Sequence, residues 1–304
     1  MDKITQVGFI GLGNMGSPMA ARLLGAGFDM AIFDSDSKAL QGFARQHGIE
    51  PAGSIRELGA GVEAVIAMLP DGQVVKKVVQ GDENHRDVLM DSMSAGAVLV
   101  DMSSSAPSGT QNLGKRLAAH GIHMLDAPVS GGVSRAVAGT LAIMAGGEPD
   151  VISRCMPLFN AMGDRVFETG PLGSGHAMKV LNNMVSAAGL IAAAEALLIG
   201  SHFDLKPEVM ISILNASTGR NNSTENKFKQ FILSRTFNSG FSLELMVKDL
   251  TTALELSREK GVPAIFSGVC RELWATARSR LETGADHTAV VRWFEELADI
   301  ELKG

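Results

Sequence analysis

The stretch that most constrains this chain is Gly11-Leu12-Gly13-Asn14-Met15-Gly16, directly after the apolar run Val7-Gly8-Phe9-Ile10 and directly before a helical pattern from Pro18 to Leu24. A buried strand that turns through Gly-x-Gly-x-x-Gly into a helix aims backbone N–H groups and the positive end of a helix at one point, where a pyrophosphate can sit. The hexad alone carries little weight, because glycine triplets also occur in ordinary tight turns and in sites for flavins or S-adenosylmethionine. A second residue narrows the choice. Asp34 ends the next apolar run, Met30-Ala31-Ile32-Phe33, eighteen residues after Gly16. An acid at that distance accepts hydrogen bonds from the adenosine ribose hydroxyls of a dinucleotide, although capping of a helix that starts near Asp36 would also explain it. Strand, glycines, helix, strand and acid in one frame favour a nicotinamide dinucleotide. A carboxylate at Asp34 repels a 2′-phosphate, and Ser35, Asp36 and Ser37 supply no Arg to hold one, so the expected cofactor is NAD rather than NADP.

Strand and helix patterns alternate from residue 1 to about 168. Apolar runs at 7–10, 30–33, 64–69, 97–100, 123–125 and 141–144 are separated by amphipathic stretches such as 36–47 and 108–120. Runs that are continuously apolar, each followed by a helix, predict a mostly parallel sheet covered on both faces. The expected fold is therefore α/β, with an N-terminal doubly wound Rossmann-type sheet over 1–168. Ligands of such sheets lie beyond the carboxyl ends of the strands. Those ends are Met68-Leu69-Pro70, Asp101-Met102-Ser103-Ser104, and Asp126-Ala127-Pro128-Val129-Ser130-Gly131-Gly132. Only helical periodicity follows Gly170-Pro171-Leu172-Gly173-Ser174-Gly175, with helices expected over 207–215, 223–234, 243–260, 264–281 and 287–302. Residues 169–304 are thus expected to form an all-α domain, joined to the first by a long helix running from Ala177 to about Phe203. That helix is rich in small residues, including Ala187, Ala188, Gly189, Ala192, Ala193 and Ala194, which suit close helix packing within or between subunits.

Composition removes several classes of function. The 304 residues carry a net charge of −6 with no Lys/Arg cluster, which argues against nucleic acid or an anionic membrane as a partner. No basic-plus-apolar leader precedes the first strand, and no uncharged apolar run reaches the ~18 residues that span a bilayer, so a cytoplasmic location is expected. Cys155 and Cys270 lie in separate helical patterns without CxxC spacing or nearby His, so no metal is expected and both are read as buried fillers. The chain contains no Tyr, so the acid/base at a carbinol oxygen must be another residue.

Lys179 and Asn183 interrupt the long apolar helix. They stand four apart and project from one face. A Lys beside a substrate oxygen is a usable acid/base if burial and the positive charge of an oxidised nicotinamide lower its pKa from ~10.4 toward ~7 to 8. Snorkelling of Lys179 and local capping by Asn183 remain the alternative on spacing alone. A His base must also be weighed. Of seven His, only His176 approaches Lys179, and His47, His85, His120, His123, His202 and His287 are expected at helix ends or on polar faces.

The glycine hexad with Ser17-Pro18-Met19-Ala20, together with Met68-Leu69-Pro70, Asp101-Met102-Ser103-Ser104, Asp126 to Gly132, Gly139-Thr140-Leu141, Gly173 to Asn183 and Lys248-Asp249-Leu250, resembles the β-hydroxyacid dehydrogenase family. The match runs in order from residue 7 to about 300. The resemblance implies hydride transfer between NAD(H) and the C3 hydroxyl or aldehyde of a small 3-hydroxy acid, in a homodimer or homotetramer. It implies Lys179 as general acid/base, Asn183 as its neighbour on the substrate, and Ser130, Gly131 and Gly132 as the cradle for the substrate carboxylate. Met68, Leu69, Pro70, and Ser103 or Ser104 would line the nicotinamide, and Lys248 would approach the cofactor. A solvated charge pair with Asp249 is the other reading of Lys248.

The loop Ser217-Thr218-Gly219-Arg220, which would bring Arg220 to the substrate, departs from the family pattern. In 3-hydroxyisobutyrate dehydrogenases it commonly continues with an aromatic residue, whereas here Asn221-Asn222-Ser223 follow. A polar pocket is expected from these residues, favouring a tartronate semialdehyde (2-hydroxy-3-oxopropionate) reductase over a 3-hydroxyisobutyrate dehydrogenase. A cofactor-sensing module without catalysis is the distant alternative.

Overall fold

A computed structural model describes residues 3–304. The first unit opens with β1 (Gln6–Ile10), α1 (Gly16–Gly25), β2 (Asp29–Phe33), α2 (Ser37–His47), α3 (Ile55–Gly59), β3 (Ala64–Ala67) and α4 (Gly72–Gln80). It continues with β4 (Val98–Asp101), α5 (Pro107–Ala118), β5 (His123–Asp126), β6 (Val129–Ser130), α6 (Gly132–Ala138), β7 (Leu141–Gly146), α7 (Pro149–Met162) and β8 (Gly163–Gly170). The strands form one sheet in the order β2-β1-β3-β4-β5-β7-β6, with β8 added by parallel pairing to β7. The five strands from β2 to β5 are parallel; β7 runs antiparallel to β5 and β6.

The continuous apolar runs divide their side chains between two cores. Val7, Phe9, Ala64, Ile66, Val98 and Val100 meet α1, α2 and α7 on one face. Ile10, Val65 and Leu99 meet α3, α4 and α5 on the other. Both faces of the sheet are thus dry, which is why these strands show no polar alternation in the sequence. Cys155 is completely buried in the first core, and burial pushes its thiol up to about 12, so it packs as a small hydrophobe.

The order β2-β1-β3 means that the chain leaves β1 in one direction and β3 in the other. Their carboxyl ends form the switch point at which open α/β sheets hold their ligands. The glycine hexad follows β1 and Met68-Leu69-Pro70 follows β3.

β8 had no counterpart among the expected strands. Asp164, Arg165 and Glu168 interrupt it and most of its side chains are exposed, so it lacks the apolar run that marks an interior strand. The chain divides into two compact units after Lys179, eleven residues beyond the expected boundary at 168, which falls within β8.

The second unit is helical. α8 (Ser174–His202) begins in the first unit and continues into the second, followed by α9 (Pro207–Ala216), α10 (Asn222–Asn226), α11 (Leu243–Glu259), α12 (Ile265–Arg280) and α13 (Val290–Ala298). α8 is long and apolar enough to cross a membrane by length and composition. Within its unit, Ala187, Leu190, Ala194 and Leu197 pack with Trp274, Phe228 and Leu250 in one core. The helix expected over 223–234 is instead α10 followed by a π-helical turn, Phe228–Ile232. The one expected over 287–302 stops early because Asp299 takes a left-handed conformation, φ 49°.

His287, expected at a helix end or on a polar face, starts a helical turn and is buried. Its ring stacks on Trp274 with centroids 6.4 Å apart, and its Nδ1 lies 3.1 Å from the Phe241 carbonyl. Burial, helped by the positive charge of Lys227, pushes this imidazole down to about 3. Although burial opposes it, hydrogen bonds from Thr288 and Ser239 hold the Asp286 carboxyl below the usual carboxylate range. The folded state thus leaves His287 neutral where the unfolded chain takes up a proton. This contribution to stability is complete above pH 6.5 and falls by about 1.4 kcal/mol per pH unit below it, until the folded imidazole itself titrates. Denaturant titrations at pH 7 and pH 5 are therefore expected to show about 2 kcal/mol more loss in the wild type than in His287→Gln. Equal losses in the two proteins would contradict this account.

Candidate active site

Three glycines open the first unit's ligand edge, each for a different reason. Gly11 has φ 96°, donates its N–H to the Phe33 carbonyl at 3.1 Å, and leaves no room for a Cβ against the Met68 carbonyl oxygen. Gly16 opens α1, and a Cβ there would run into the Gly11 carbonyl oxygen. Gly13 differs from both, since among the described residues no atom lies within 4 Å of where its Cβ would stand. Leu12 and Gly16 are buried while Gly13 and Asn14 are exposed and Met15 is half-buried. The start of α1 has no side-chain cap, whereas Asp36, Ser54 and Asp71 cap the three helices that follow it. A glycine with free space before it and an uncapped helix end behind it fit the pyrophosphate of a dinucleotide.

Asp34 closes this loop from the next strand. Its Oδ2 accepts the Leu12 N–H at 2.5 Å and its Oδ1 accepts the Asp36 N–H at 2.7 Å. The capping role belongs to Asp36, whose carboxylate accepts the Lys38 N–H at 2.8 Å. Asp34 therefore holds the glycine loop in place and sets a negative charge beside it.

Beyond β3, Met68 and Leu69 are half-buried and Pro70 is exposed. Ser103 is buried, and its hydroxyl accepts the Leu69 N–H at 3.0 Å while Asp101 accepts its own N–H at 2.9 Å. Ser103 thus fixes the backbone of the β3 loop, and the half-buried Ser104 is the more open of the pair. Ser130 lies on β6, and Gly131 (φ 137°) and Gly132 (φ 71°) make the exposed turn into α6. These two backbone conformations are strained for any residue with a Cβ.

Lys179 leaves α8 near its start and is half-buried. Its ammonium donates to the Val129 carbonyl at 2.7 Å, next to Ser130. Two residues that the sequence left without a role support this region: Val129, through its carbonyl, and Asp126, whose carboxylate accepts the N–H groups of Gly173 and His176. Burial pushes the Asp126 carboxyl up, opposed by the nearby His176. His176 is itself completely buried, 2.8 Å from the Thr110 hydroxyl, so it cannot meet a substrate. This burial weighs against the His-base alternative.

In the second unit, Asn183 is buried and donates to Asp249 Oδ2 at 2.6 Å. Lys248 lies 3.1 Å from Asp249 Oδ1. Asp249 is completely buried, so Lys248 and Asp249 are not a solvated surface pair. Arg220 is exposed and 3.7 Å from Glu225, a surface pairing. The polarity of the neighbouring loop has a local cause. Asn221 Oδ1 accepts the N–H groups of Ser223 and Thr224 at the start of α10, and its Nδ2 donates to the Gly189 carbonyl at 3.3 Å. Ser223 is buried. Capping and packing of α10 give Asn221 and Ser223 a local structural role.

Together the sheet order, the three glycines and Asp34 define a Rossmann-type dinucleotide-binding protein. Residues 6–170 match the NAD binding domain of 6-phosphogluconate dehydrogenase, and residues 173–294 match the NAD-binding domain of NADP-dependent 3-hydroxyisobutyrate dehydrogenase. The chain is 34% identical to 2-(hydroxymethyl)glutarate dehydrogenase of Eubacterium barkeri, over 100% of this chain and 99% of that one. It is 36% identical to 3-hydroxyisobutyrate dehydrogenase of Pseudomonas aeruginosa, over 90% and 92% of the two chains. Among solved structures, 3-hydroxyisobutyrate dehydrogenase of Mycobacterium tuberculosis with L-serine superimposes with a TM-score of 0.85 at 32% identity, covering 96% of this chain and 99% of that one. The chain belongs to the β-hydroxyacid dehydrogenase family. It is an oxidoreductase with a nicotinamide dinucleotide cofactor.

Proposed function

We propose that this protein interconverts 2-substituted 3-hydroxypropionates, HOCH2–CHX–COO−, and their semialdehydes, with NAD as the preferred cofactor. The observation that carries this reading is the Lys179 ammonium, held at 2.7 Å by the Val129 carbonyl beside Ser130 and the open glycine turn. The 2-(hydroxymethyl)glutarate and 3-hydroxyisobutyrate in the names of the relatives, and the L-serine in the Mycobacterium tuberculosis structure, share this skeleton and differ only in X. Gly11, Gly13, Gly16 and Asp34 would hold the dinucleotide and Met68 to Pro70 and Ser104 would line its nicotinamide, while the role of Lys248 toward the cofactor is the one the family resemblance implies. Bound there, that group supplies the hydride acceptor or donor.

In the oxidising direction Lys179, as the free amine, removes the C3 hydroxyl proton as the carbonyl forms; in reduction the ammonium returns it to the aldehyde oxygen. Ser130 and the N–H groups of the Gly131-Gly132 turn bind the carboxylate, and Asn183 hydrogen-bonds the substrate with an amide whose orientation Asp249 fixes. Anchoring C1 presents C3 to the base, which selects 3-hydroxy over 2-hydroxy acids. Two members of the class deserve direct comparison: glycerate (X = OH), whose semialdehyde is 2-hydroxy-3-oxopropionate, and 3-hydroxyisobutyrate (X = CH3).

A panel of C3 to C5 hydroxy acids, followed by absorbance of the reduced cofactor with NAD and with NADP, tests this reading. Turnover is expected with 3-hydroxy acids of this skeleton and absent with lactate; turnover on lactate alone would overturn it. In the same assay Asp34→Asn, which removes the charge that repels a 2′-phosphate, is expected to shift the kcat/KM ratio toward NADP by about tenfold or more.

A further inference from the structure

A buried polar cluster at the start of α8 takes no part in the chemistry described above. Asp126 ends β5 and is completely buried. Its Oδ1 accepts the Gly173 N–H at 2.6 Å and its Oδ2 the His176 N–H at 2.7 Å, so one carboxylate satisfies two of the amides that open α8. Such bonds are charge-assisted, and the positive end of the helix adds to them. His176 braces the same turn, with Nδ1 2.8 Å from Thr110 Oγ1 and Nε2 3.8 Å from Asp101 Oδ2. Asp101 is held in turn by the Ser103 N–H and, at 2.7 Å, the Ser105 hydroxyl. The joint is tight: a Cβ on Gly146 would stand 2.6 Å from Asp126 Oδ1, and one on Gly175 3.0 Å from Oδ2. Among the described residues no group of three or more His, Cys, Asp or Glu could hold a metal, so the cluster is not a metal centre.

Three residues after Asp126, the Val129 carbonyl receives the Lys179 ammonium. Asp126 therefore joins the helix turn that precedes Lys179 to the strand end that leads to its acceptor. We propose that Asp126 is a positioning residue for Lys179, clamping the first turn of α8 to the end of β5 so that the amine stands at a fixed distance from Val129 and Ser130. This rests on the reading of Lys179 as the acid/base. A misplacement of about 1 Å at a reacting group costs on the order of 10²-fold in rate.

The test compares Asp126→Asn with wild type and Lys179→Ala, measuring kcat per NADH-binding site, KM for the hydroxy acid, the Kd of NADH by fluorescence, and Tm. Asp126→Asn keeps one acceptor and loses the other. Its kcat is expected to fall by about 10- to 100-fold, with KM changed by less than about threefold and the Kd of NADH unchanged. A lower Tm with kcat per site intact would show a merely structural role and overturn the proposal. If Asp126→Asn does not fold, Thr110→Val removes the brace on His176 together with the hydroxyl's own bond to the Ala106 carbonyl, within α5's first turn. A kcat loss of about three- to tenfold at constant KM would then support the clamp, and an unchanged kcat would overturn it. Turnover retained by Lys179→Ala would sink the acid/base reading itself, whereas an inactive Lys179→Ala beside a fully active Asp126→Asn would sink the clamp alone.

Discussion

Replacing Lys179 by Ala is expected to lower kcat by about 10²- to 10⁴-fold, the range a positioned general acid/base contributes, while the Kd of NADH stays within about twofold. Lys179 is half-buried near the start of α8, its ammonium on the Val129 carbonyl. His176 is sealed in the interior and cannot take its place. The decisive companion is Lys179→Arg. Arg preserves the positive charge and donates hydrogen bonds, but it does not give up a proton in a protein. If Lys179 moves a proton, the Arg variant should be nearly as inactive as Ala. Arg activity within tenfold of wild type would mean that the residue serves only as a charge near the substrate.

The second large effect separates two glycines of one hexad. Gly16→Ala forces a methyl group into the Gly11 carbonyl oxygen, an overpacking expected to cost about 1–3 kcal/mol of stability and to lower Tm along with cofactor binding. Gly13→Ala meets no atom of the described residues within 4 Å and its backbone needs no special conformation. Its stability should stay within about 0.5 kcal/mol of wild type, while its affinity for NADH falls by about tenfold or more, because the methyl group fills the space through which a pyrophosphate approaches the backbone. Thermal melts and NADH titrations on the two variants check this. A Gly13→Ala enzyme that binds NADH normally would place the dinucleotide elsewhere.

Much of the fold was readable because its causes are local. The strands β1 to β5 appeared as apolar runs, since a sheet dry on both faces needs them, and α2 appeared as the amphipathic stretch 36–47. β8 was hidden because an edge strand tolerates Asp164, Arg165 and Glu168. His287 looked like a surface residue at the end of a helix because nothing nearby in sequence announces Trp274 or Phe241 as its neighbours. The local role of Asn221 in the Asn221-Asn222-Ser223 segment was hidden for a related reason. A polar residue at a helix start and a polar residue in a pocket look alike in a sequence, and only the bonds from Asn221 to Ser223 and Thr224 separate them.

The sequence by itself determined the dinucleotide end of this protein. A phosphate site made from one strand, one turn and one helix start is written in consecutive residues, and spacing alone carries Gly11 to Gly16 and Asp34. The same holds for Lys179 and Asn183, which a helix puts on one face by their separation of four. What only the tertiary structure decided is who holds these groups. The Val129 carbonyl under Lys179, the Asp126 carboxylate at the start of α8, and Asp249 behind Asn183 each lie about fifty residues or more away in the chain. Hydrogen bonds of that range depend on which strand ends and helices the packing brings together, and no local pattern records that choice.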